Sequence, residues 1–282
     1  MRTKTLLIAA AALAAAITSS QAQTVYSQNV VGYVNTTLPS GVYTLINNPL
    51  NGTTNAAESV LSGFTGGETI LLWNGGGYYA YSYSGPGVGT GLGFQSDWED
   101  GAAAPPQAPA IPGDQTDASD TIYWAPQPVL APGAGFFVLN PNGNETNTFT
   151  GTVITTNNTA IHSGVYQLLA SSIPVAGSAE SNNVVNLTAS FNGGETVLVW
   201  NGGGYYAYSY SGPGVGTGLG FQSDWEDGAA APPQAPAIPG DQTDASDTIY
   251  WAPDLKLSVG QGFFVLNPNG TEQWSQTITN IP

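Results

Sequence analysis

Acidic residues collect in two stretches of this chain, residues 84–120 and 211–247. Neither stretch contains a lysine or arginine, so its carboxylates must be solvated, spread apart or bridged from outside. Carboxylate oxygens are the ligands that Ca²⁺ prefers, and calcium is abundant outside cells. The pattern therefore leaves two alternatives, structural calcium sites or plain solvated loop carboxylates, and its spacing matches no EF-hand. The candidate calcium ligands are Asp97, Glu99, Asp100, Asp114, Asp117, Asp120, Asp224, Glu226, Asp227, Asp241, Asp244 and Asp247.

Aromatic side chains form a second candidate site. Three tyrosines alternate along one predicted strand and therefore project from one face of it. Exposed rings on a sheet can stack on sugars, which predicts a carbohydrate platform, but the same rings could instead fill the core. Trp73 and the pair Phe136 and Phe137 are predicted to be core residues. The platform candidates are Tyr79, Tyr81, Tyr83 and Trp98, with their repeats Tyr206, Tyr208, Tyr210 and Trp225.

Catalytic chemistry finds little support in the residue types. The only histidine, His162, is expected in a turn, and a nucleophilic triad needs such a base. Glycoside hydrolysis needs only two carboxylates, so the composition does not exclude it. The acidic residues of the two stretches nevertheless have small polar neighbours, whereas a general acid is helped by apolar surroundings. We assign no catalytic residue, and the sequence predicts a protein that is not an enzyme.

An internal repeat determines which elements position these residues. Residues 74–126 recur letter for letter as residues 201–253, and GFFVLNPNG at 135–143 returns at 262–270. Each copy contains short β-branched and aromatic runs separated by Gly, Pro and Asn turns. These runs predict an all-β fold of two tandem antiparallel sandwich-like or barrel-like units, each with one long Gly/Pro/Asp-rich loop and at most one short helix. The helix is expected at residues 55–61, with Asn55 as its N-cap.

The chain is predicted to have three segments. Arg2 and Lys4, the apolar residues 6–17 and the small residues up to Ala22 are typical of a signal peptide at residues 1–22. The β units are expected at residues 23–156 and 157–282, sharing or directly abutting a strand near residues 153–154. The mature chain is therefore predicted to be exported, to the periplasm, cell surface or extracellular space, without membrane insertion after cleavage.

Charge and composition exclude several classes of partner. Cleavage after Ala22 would leave Lys256 as the only lysine or arginine, against 19 acidic residues. Such a chain cannot neutralise a phosphate backbone or an anionic lipid surface, which disfavours nucleic-acid and membrane binding. The absence of cysteine excludes disulfides and thiol chemistry. Hydrophobic residues make up 41% of the chain, which favours a folded core over disorder.

Three motifs carry a resemblance to known sequences. They are NVVGYVN at residues 29–35, GVYTLINNPLN at residues 41–51, and the G-x-GFFVLNP ending of each unit. Together they resemble uncharacterised exported tandem β-repeat proteins of verrucomicrobial bacteria. The similarity covers most of each unit and consists of strand and turn patterns. It implies export and a β fold, and it carries no activity or residue role to this chain.

Three functions remain in order of preference. The first is an exported, non-enzymatic protein with a structural or adhesive role at the cell surface or in the extracellular matrix. The second is a carbohydrate-binding protein with duplicated aromatic platforms, and the third is a carboxylate-based glycoside hydrolase. The expected partners are an extracellular polysaccharide or another surface protein. No cofactor is required, and structural calcium is the one that the residues suggest.

Overall fold

The computed structural model describes residues 31–85, 94–96, 115–116, 123–124, 127–180, 184–212, 221–223, 242–243, 250–251 and 254–278. Short strands separated by glycine and asparagine turns run through both halves of the chain. The first half contains β1 (Val31–Leu38), β2 (Tyr43–Asn47), a helical turn (Ala57–Val60), β3 (Thr69–Trp73), β4 (Tyr78–Tyr83), β5 (Phe94–Ser96), β6 (Gln115–Thr116), β7 (Tyr123–Trp124), β8 (Gly135–Leu139) and β9 (Glu145–Thr152).

The second half repeats this order with small changes. It contains β10 (Thr156–Ile161), β11 (Tyr166–Ala170), β12 (Gly177–Ser178), a 3₁₀ turn (Leu187–Ser190), β13 (Thr196–Trp200), β14 (Tyr205–Tyr210), β15 (Phe221–Ser223), β16 (Gln242–Thr243), β17 (Tyr250–Trp251), β18 (Lys256–Leu257), β19 (Gly262–Leu266) and β20 (Glu272–Thr277). The short pair β12–β18 belongs to this half.

Each half builds one seven-stranded sheet and one two-stranded ribbon. The sheets have the orders β2-β8-β3-β4-β5-β7-β6 and β11-β19-β13-β14-β15-β17-β16, which are the same topology twice. The ribbons are β1–β9 and β10–β20, and the strands pair antiparallel throughout these sheets and ribbons. The predicted all-β, antiparallel fold is therefore confirmed.

The short helix lies where it was expected, but its cap is different. It is a single turn, Ala57–Val60, and its N-cap is Ala56, which makes no side-chain cap bond. Asn55 has a positive φ of 49°, which asparagine tolerates better than most residues. Its Oδ1 accepts a hydrogen bond from the Gly52 amide at 2.8 Å, so this side chain closes the preceding turn. The prediction that Asn55 caps the helix is therefore wrong.

The two halves meet at a short connection and share no strand. Strand β9 ends at Thr152 and β10 begins at Thr156, and the two strands belong to different ribbons. The halves therefore abut, with residues 153–155 between them. The predicted boundary between residues 156 and 157 stays a prediction, because Val31–Pro282 makes one compact unit by its contacts.

Along β2, β3 and β8 both faces of the first sheet carry apolar side chains, because successive residues of a strand point to opposite faces. On β8, Phe136 and Val138 face one core while Phe137 between them faces another. The first of these cores lies under the β1–β9 ribbon, whose Leu38 and Phe149 are 1% exposed. A second core of the same kind lies in the other half, and the third contains residues of both halves.

Gly151 allows the backbone of the β1–β9 ribbon to pack closely against the backbone at Asn51. Asn51 and Thr152 exchange two backbone hydrogen bonds of 3.0 and 2.9 Å. A Cβ added at Gly151 would lie 2.7 Å from the Asn51 carbonyl oxygen, which cannot move without breaking that pair. We expect Gly151→Ala to lower the free energy of unfolding by about 1–3 kcal/mol.

Urea unfolding of the mature chain measures this effect. The matched control is Gly76→Ala, because a Cβ added at Gly76 meets no atom within 4 Å. Equal unfolding free energies for the two variants would show that the Asn51–Thr152 contact does not depend on the missing side chain.

Candidate functional site

The shared core between the halves consists of the same side chains used twice. Leu45, Phe137, Leu168 and Phe264 are its buried centre. Trp73 contacts Phe264 edge to face with ring centroids 5.1 Å apart. The equivalent contact with the two halves exchanged joins Trp200 to Phe137, whose ring centroids lie 5.3 Å apart. Edge-to-face ring pairs of this kind stabilise the fold by more than the burial of their apolar area alone.

Hydrogen bonds across this core are reciprocal as well. Trp73 Nε1 donates to the Tyr166 carbonyl at 2.9 Å, and Trp200 Nε1 donates to the Tyr43 carbonyl at 2.7 Å. The Asn47 amide donates to Gly260, and the Ala170 amide donates to Gly133, both at 2.9 Å. A contact that recurs with the partners exchanged defines a two-fold interface, so the halves associate like the subunits of a symmetric dimer within one chain.

Two tyrosines mark the axis of this relation. Tyr78 and Tyr205 are equivalent residues of the repeat, and their hydroxyl oxygens lie 3.5 Å apart. Equivalent residues contact each other only at a two-fold axis. Burial, followed by the hydrogen bond with Tyr205, raises the pKa of Tyr78, and burial also raises the pKa of Tyr205. Both hydroxyls therefore stay protonated and can donate.

The tyrosine stripe faces the inner core of each half. Tyr81 and Tyr83 are each 6% exposed, and Tyr208 and Tyr210 are 7% and 4% exposed. The predicted alternation on one face is correct, but that face packs under the ribbon. These four rings have no face free for a sugar, so the core interpretation applies to them and the platform interpretation does not.

The other members of the predicted platform divide into two groups. Tyr79 and Tyr206 are partly buried and pack against the same inner cores. Trp98 and Trp225 lie outside the residues that the structure describes. Trp73 is partly buried in the shared core, and Phe136 and Phe137 are 1% and 4% exposed, which confirms the predicted core positions of these rings.

The predicted calcium ligands also lie outside the described residues. They are Asp97, Glu99, Asp100, Asp114, Asp117, Asp120, Asp224, Glu226, Asp227, Asp241, Asp244 and Asp247. Calcium binding there stays a prediction. Within the described part of the chain, no group of three or more His, Asp or Glu side chains could hold a metal ion. The short strands next to these residues, β5, β7 and β6, form the edge of the sheet opposite β2.

A buried carboxyl pair in the second half was missed by sequence reasoning. Glu195 comes directly before β13 and is 0% exposed. Its Oε1 accepts hydrogen bonds from the Asn192 amide at 2.8 Å and from Asn269 Nδ2 at 2.7 Å, and its Oε2 accepts one from the Gly193 amide at 2.8 Å. Three N–H donors thus satisfy both oxygens of this buried side chain.

Glu272, the first residue of β20, is the second member of this pair. It is 8% exposed, and its Oε1 accepts a 2.6 Å hydrogen bond from Asn192 Nδ2. Its Oε2 is buried and has no hydrogen-bond partner. Burial is the main cause that raises the pKa of Glu272, the Asn192 hydrogen bond opposes this, and the neighbouring Glu195 carboxyl group raises the pKa further.

The first half contains the same pair, Glu68 and Glu145. Glu68 is 0% exposed and accepts hydrogen bonds from the Thr65 and Gly66 amides at 2.8 Å and from Asn142 Nδ2 at 2.9 Å. Burial, followed by the Glu68 charge, raises the pKa of Glu145. Glu145 Oε2 is again buried without a hydrogen-bond partner. The two repeats of the chain thus contain equivalent glutamate pairs.

An asparagine turn holds each pair in place. In the turn at residues 140–143, the Asn140 side chain donates to the Leu38 and Gly143 carbonyls and accepts from the Asn142 amide at 2.8 Å. Asn267 does the same in the second half, toward Ile161, Gly270 and Asn269. This network presents the second asparagine of each turn to a glutamate. The NPNG motif is therefore the sequence signal that could have located the pairs.

The chemical capacity of these pairs is to hold protons. A fully buried carboxylate cannot contact a polymer substrate, so the pairs do not suit glycoside hydrolysis. They can keep one carboxyl group neutral next to an ionised one, because two like charges in contact cannot both ionise easily.

A polar cavity of about 540 Å³ lies beside the first ribbon. Its walls include Asn48, Asn51, Asn55 and Thr150. The asparagines hydrogen-bond one another, since Asn48 Nδ2 donates to Asn55 Oδ1 at 3.2 Å and Asn55 Nδ2 donates to Asn51 Oδ1 at 2.8 Å. Their amides therefore stabilise the 48–55 turn.

Comparisons with known proteins give no relative for this fold and site. No protein-family model, curated protein or solved structure matches the chain. Among the helices that the structure describes, none has the length and apolar character needed to span a bilayer.

Proposed function

We propose that this chain is an exported, non-enzymatic protein with a structural or adhesive role at the cell surface or in the extracellular matrix. The observation that supports this role best is the reciprocal shared core. Because Phe137 and Phe264 are buried between the two sheets, the halves are held in one fixed relation. A fixed pair of equivalent units is suited to engage two equivalent sites on one partner.

The repeated acidic stretches are the surfaces that the proposal uses. Their sequences are identical in the two halves over residues 74–126 and 201–253. In the first half, β5 and β6 lie within the acidic stretch and β7 follows it, and these three strands form the sheet edge opposite β2, whereas β2 contributes Leu45 to the shared core. Two copies of a weak contact raise apparent affinity for a repetitive partner, because the second contact forms at high effective concentration.

Localisation and adhesion assays in the producing cells test the proposal. We expect an antibody to detect the mature chain at the cell surface or in the matrix, and deletion of the gene to reduce cell retention on a surface. Complementation should use wild type and a one-copy variant, Asp97→Asn/Glu99→Gln/Asp100→Asn. A two-copy variant adds Asp224→Asn/Glu226→Gln/Asp227→Asn. The one-copy variant should lose more than half of the retention, and the two-copy variant should lose nearly all of it.

The matched control is Glu58→Gln, which removes a negative charge from the helical turn outside these stretches. It should leave retention unchanged. A chain found only in the cytoplasm, or equal retention with the two-copy variant and with wild type, would contradict the proposed role. Binding of the purified mature chain to one neutral polysaccharide on an array would favour the carbohydrate-binding alternative instead.

A further inference from the structure

In each glutamate pair, one buried carboxyl oxygen receives no hydrogen bond from a donor. Glu145 Oε2 and Glu272 Oε2 are both buried without a hydrogen-bond partner. The other three oxygens of the Glu195–Glu272 pair all accept N–H donors. An ionised carboxylate oxygen without a donor is strongly disfavoured in a buried environment. The same unsatisfied oxygen occurs at equivalent positions of both halves, so one explanation should account for both.

Side-chain cations cannot neutralise these groups. Beyond residue 4, Lys256 is the only lysine or arginine, and its side chain is exposed. His162 is exposed as well. Tyr210 lies close enough to Glu195 and Glu180 that, after burial, the charges of these two glutamates raise its pKa. The charges that act on this part of the second half are therefore negative.

We propose that Glu272 and Glu195 share one proton, so that Glu272 is a neutral carboxylic acid whose Oε2 donates to the Glu195 carboxylate. Glu145 and Glu68 repeat this arrangement in the first half. The donors assign the roles, since Glu195 receives three N–H groups and Glu272 receives one. Two carboxyl groups in contact commonly keep one proton between them.

The shared proton makes stability depend on pH in a defined direction. Burial raises the folded-state pKa of Glu272 above its ordinary value of 4.5. The stabilisation is therefore fully present below the unfolded-state pKa and is lost as the pH rises through the folded-state pKa. At a pH above both pKa values, each unit by which the folded-state pKa exceeds the unfolded-state pKa raises the equilibrium constant for unfolding about tenfold.

Glu272→Gln in the full mature chain isolates this contribution. The glutamine amide can donate to Glu195 as the neutral acid does, and its oxygen can still accept from Asn192 Nδ2. We expect the wild-type urea midpoint to fall as the pH rises from acid to alkaline, and the fall in Glu272→Gln to be smaller. The difference between the urea midpoints of wild type and Glu272→Gln at each pH isolates the Glu272 contribution, because the two chains share all their other acidic residues. Glu145→Gln should reduce the pH dependence of the urea midpoint in the same direction but by less, because Glu145 is more exposed than Glu272.

Glu195→Gln is the matched opposite variant. Its amide N–H groups would face the N–H donors of Asn192, Gly193 and Asn269, so it should be destabilised at both acid and alkaline pH. A variant that fails to fold does not block the test, because carboxyl ¹³C NMR of the wild-type chain reads the Glu272 titration directly. That signal should titrate above the signals of exposed glutamates.

Two results would overturn the proposal. The first is a Glu272 signal that titrates with the exposed glutamates, or equal pH slopes in wild type and Glu272→Gln. The second is recovery of wild-type stability at alkaline pH on adding Ca²⁺ and its loss with chelator, provided that Glu272→Gln abolishes the response. That outcome would mean that a cation rather than a proton neutralises the pair.

Discussion

Trp274→Ala is expected to lower the free energy of unfolding by about 3–5 kcal/mol. Trp274 is 0% exposed, and its ring centroid lies 5.7 Å from that of Phe263. Its Nε1 donates to the Val185 carbonyl at 2.7 Å, so the substitution both leaves a cavity and removes this hydrogen bond. Urea unfolding followed by the remaining tryptophans measures the loss.

Asn147 supplies the matched control for this substitution because it holds the same position in the first half. It is 1% exposed, its Nδ2 donates to the Val60 carbonyl at 3.0 Å, and its Oδ1 has no partner. Asn147→Ala removes little volume and relieves one unsatisfied oxygen, so we expect it to cost about 1–3 kcal/mol at most. A Trp274→Ala loss no larger than this would show that the indole does not fill the second core.

Removing one ring from the shared core is expected to destabilise both halves together. Phe137→Ala should cost about 3–5 kcal/mol, because Phe137 is 4% exposed and makes edge-to-face contacts with Tyr43, Tyr78 and Trp200. Phe264 makes the equivalent contacts with Tyr166, Tyr205 and Trp73. Phe264→Ala should therefore cost about the same amount.

Denaturant unfolding of both variants and of the double variant measures this coupling. Residues in one cluster show interaction energies of about 0.5–3 kcal/mol, so the double variant should depart from the sum of the single losses. We also expect one unfolding transition in each case. Two separate transitions in wild type, or strictly additive losses, would show that the halves are stable without their shared face.

Local patterns in the sequence predicted the strands and the alternation of the tyrosines. Period-two runs such as Tyr79, Tyr81 and Tyr83 indicate which side chains share a face. They do not indicate which face is covered, because both faces of this sheet are buried, one by a ribbon and one by the other half. An exposed stripe and a core stripe have the same spacing, so burial could be obtained only from the packing.

Long-range pairs were outside the reach of sequence reasoning. Glu68 and Glu145 lie far apart in the chain, and each looks like an ordinary glutamate next to a strand. Their recurrence as Glu195 and Glu272, outside the identical block, was a second available signal besides the NPNG motif. The Asn55 cap failed for a local reason, since an asparagine side chain can close the preceding turn as readily as it can cap a helix.

Synthesis from the N-terminus gives the two-fold shared core a temporal consequence. Leu45 and Phe137 are made before Leu168 and Phe264, the groups that cover them. Until those later residues emerge, an apolar face of the first half is in water, and the second half of a neighbouring molecule can cover it as well as the chain's own second half can. Crowded translation or concentrated refolding should therefore produce exchanged dimers, in which a first half closes on the second half of another molecule.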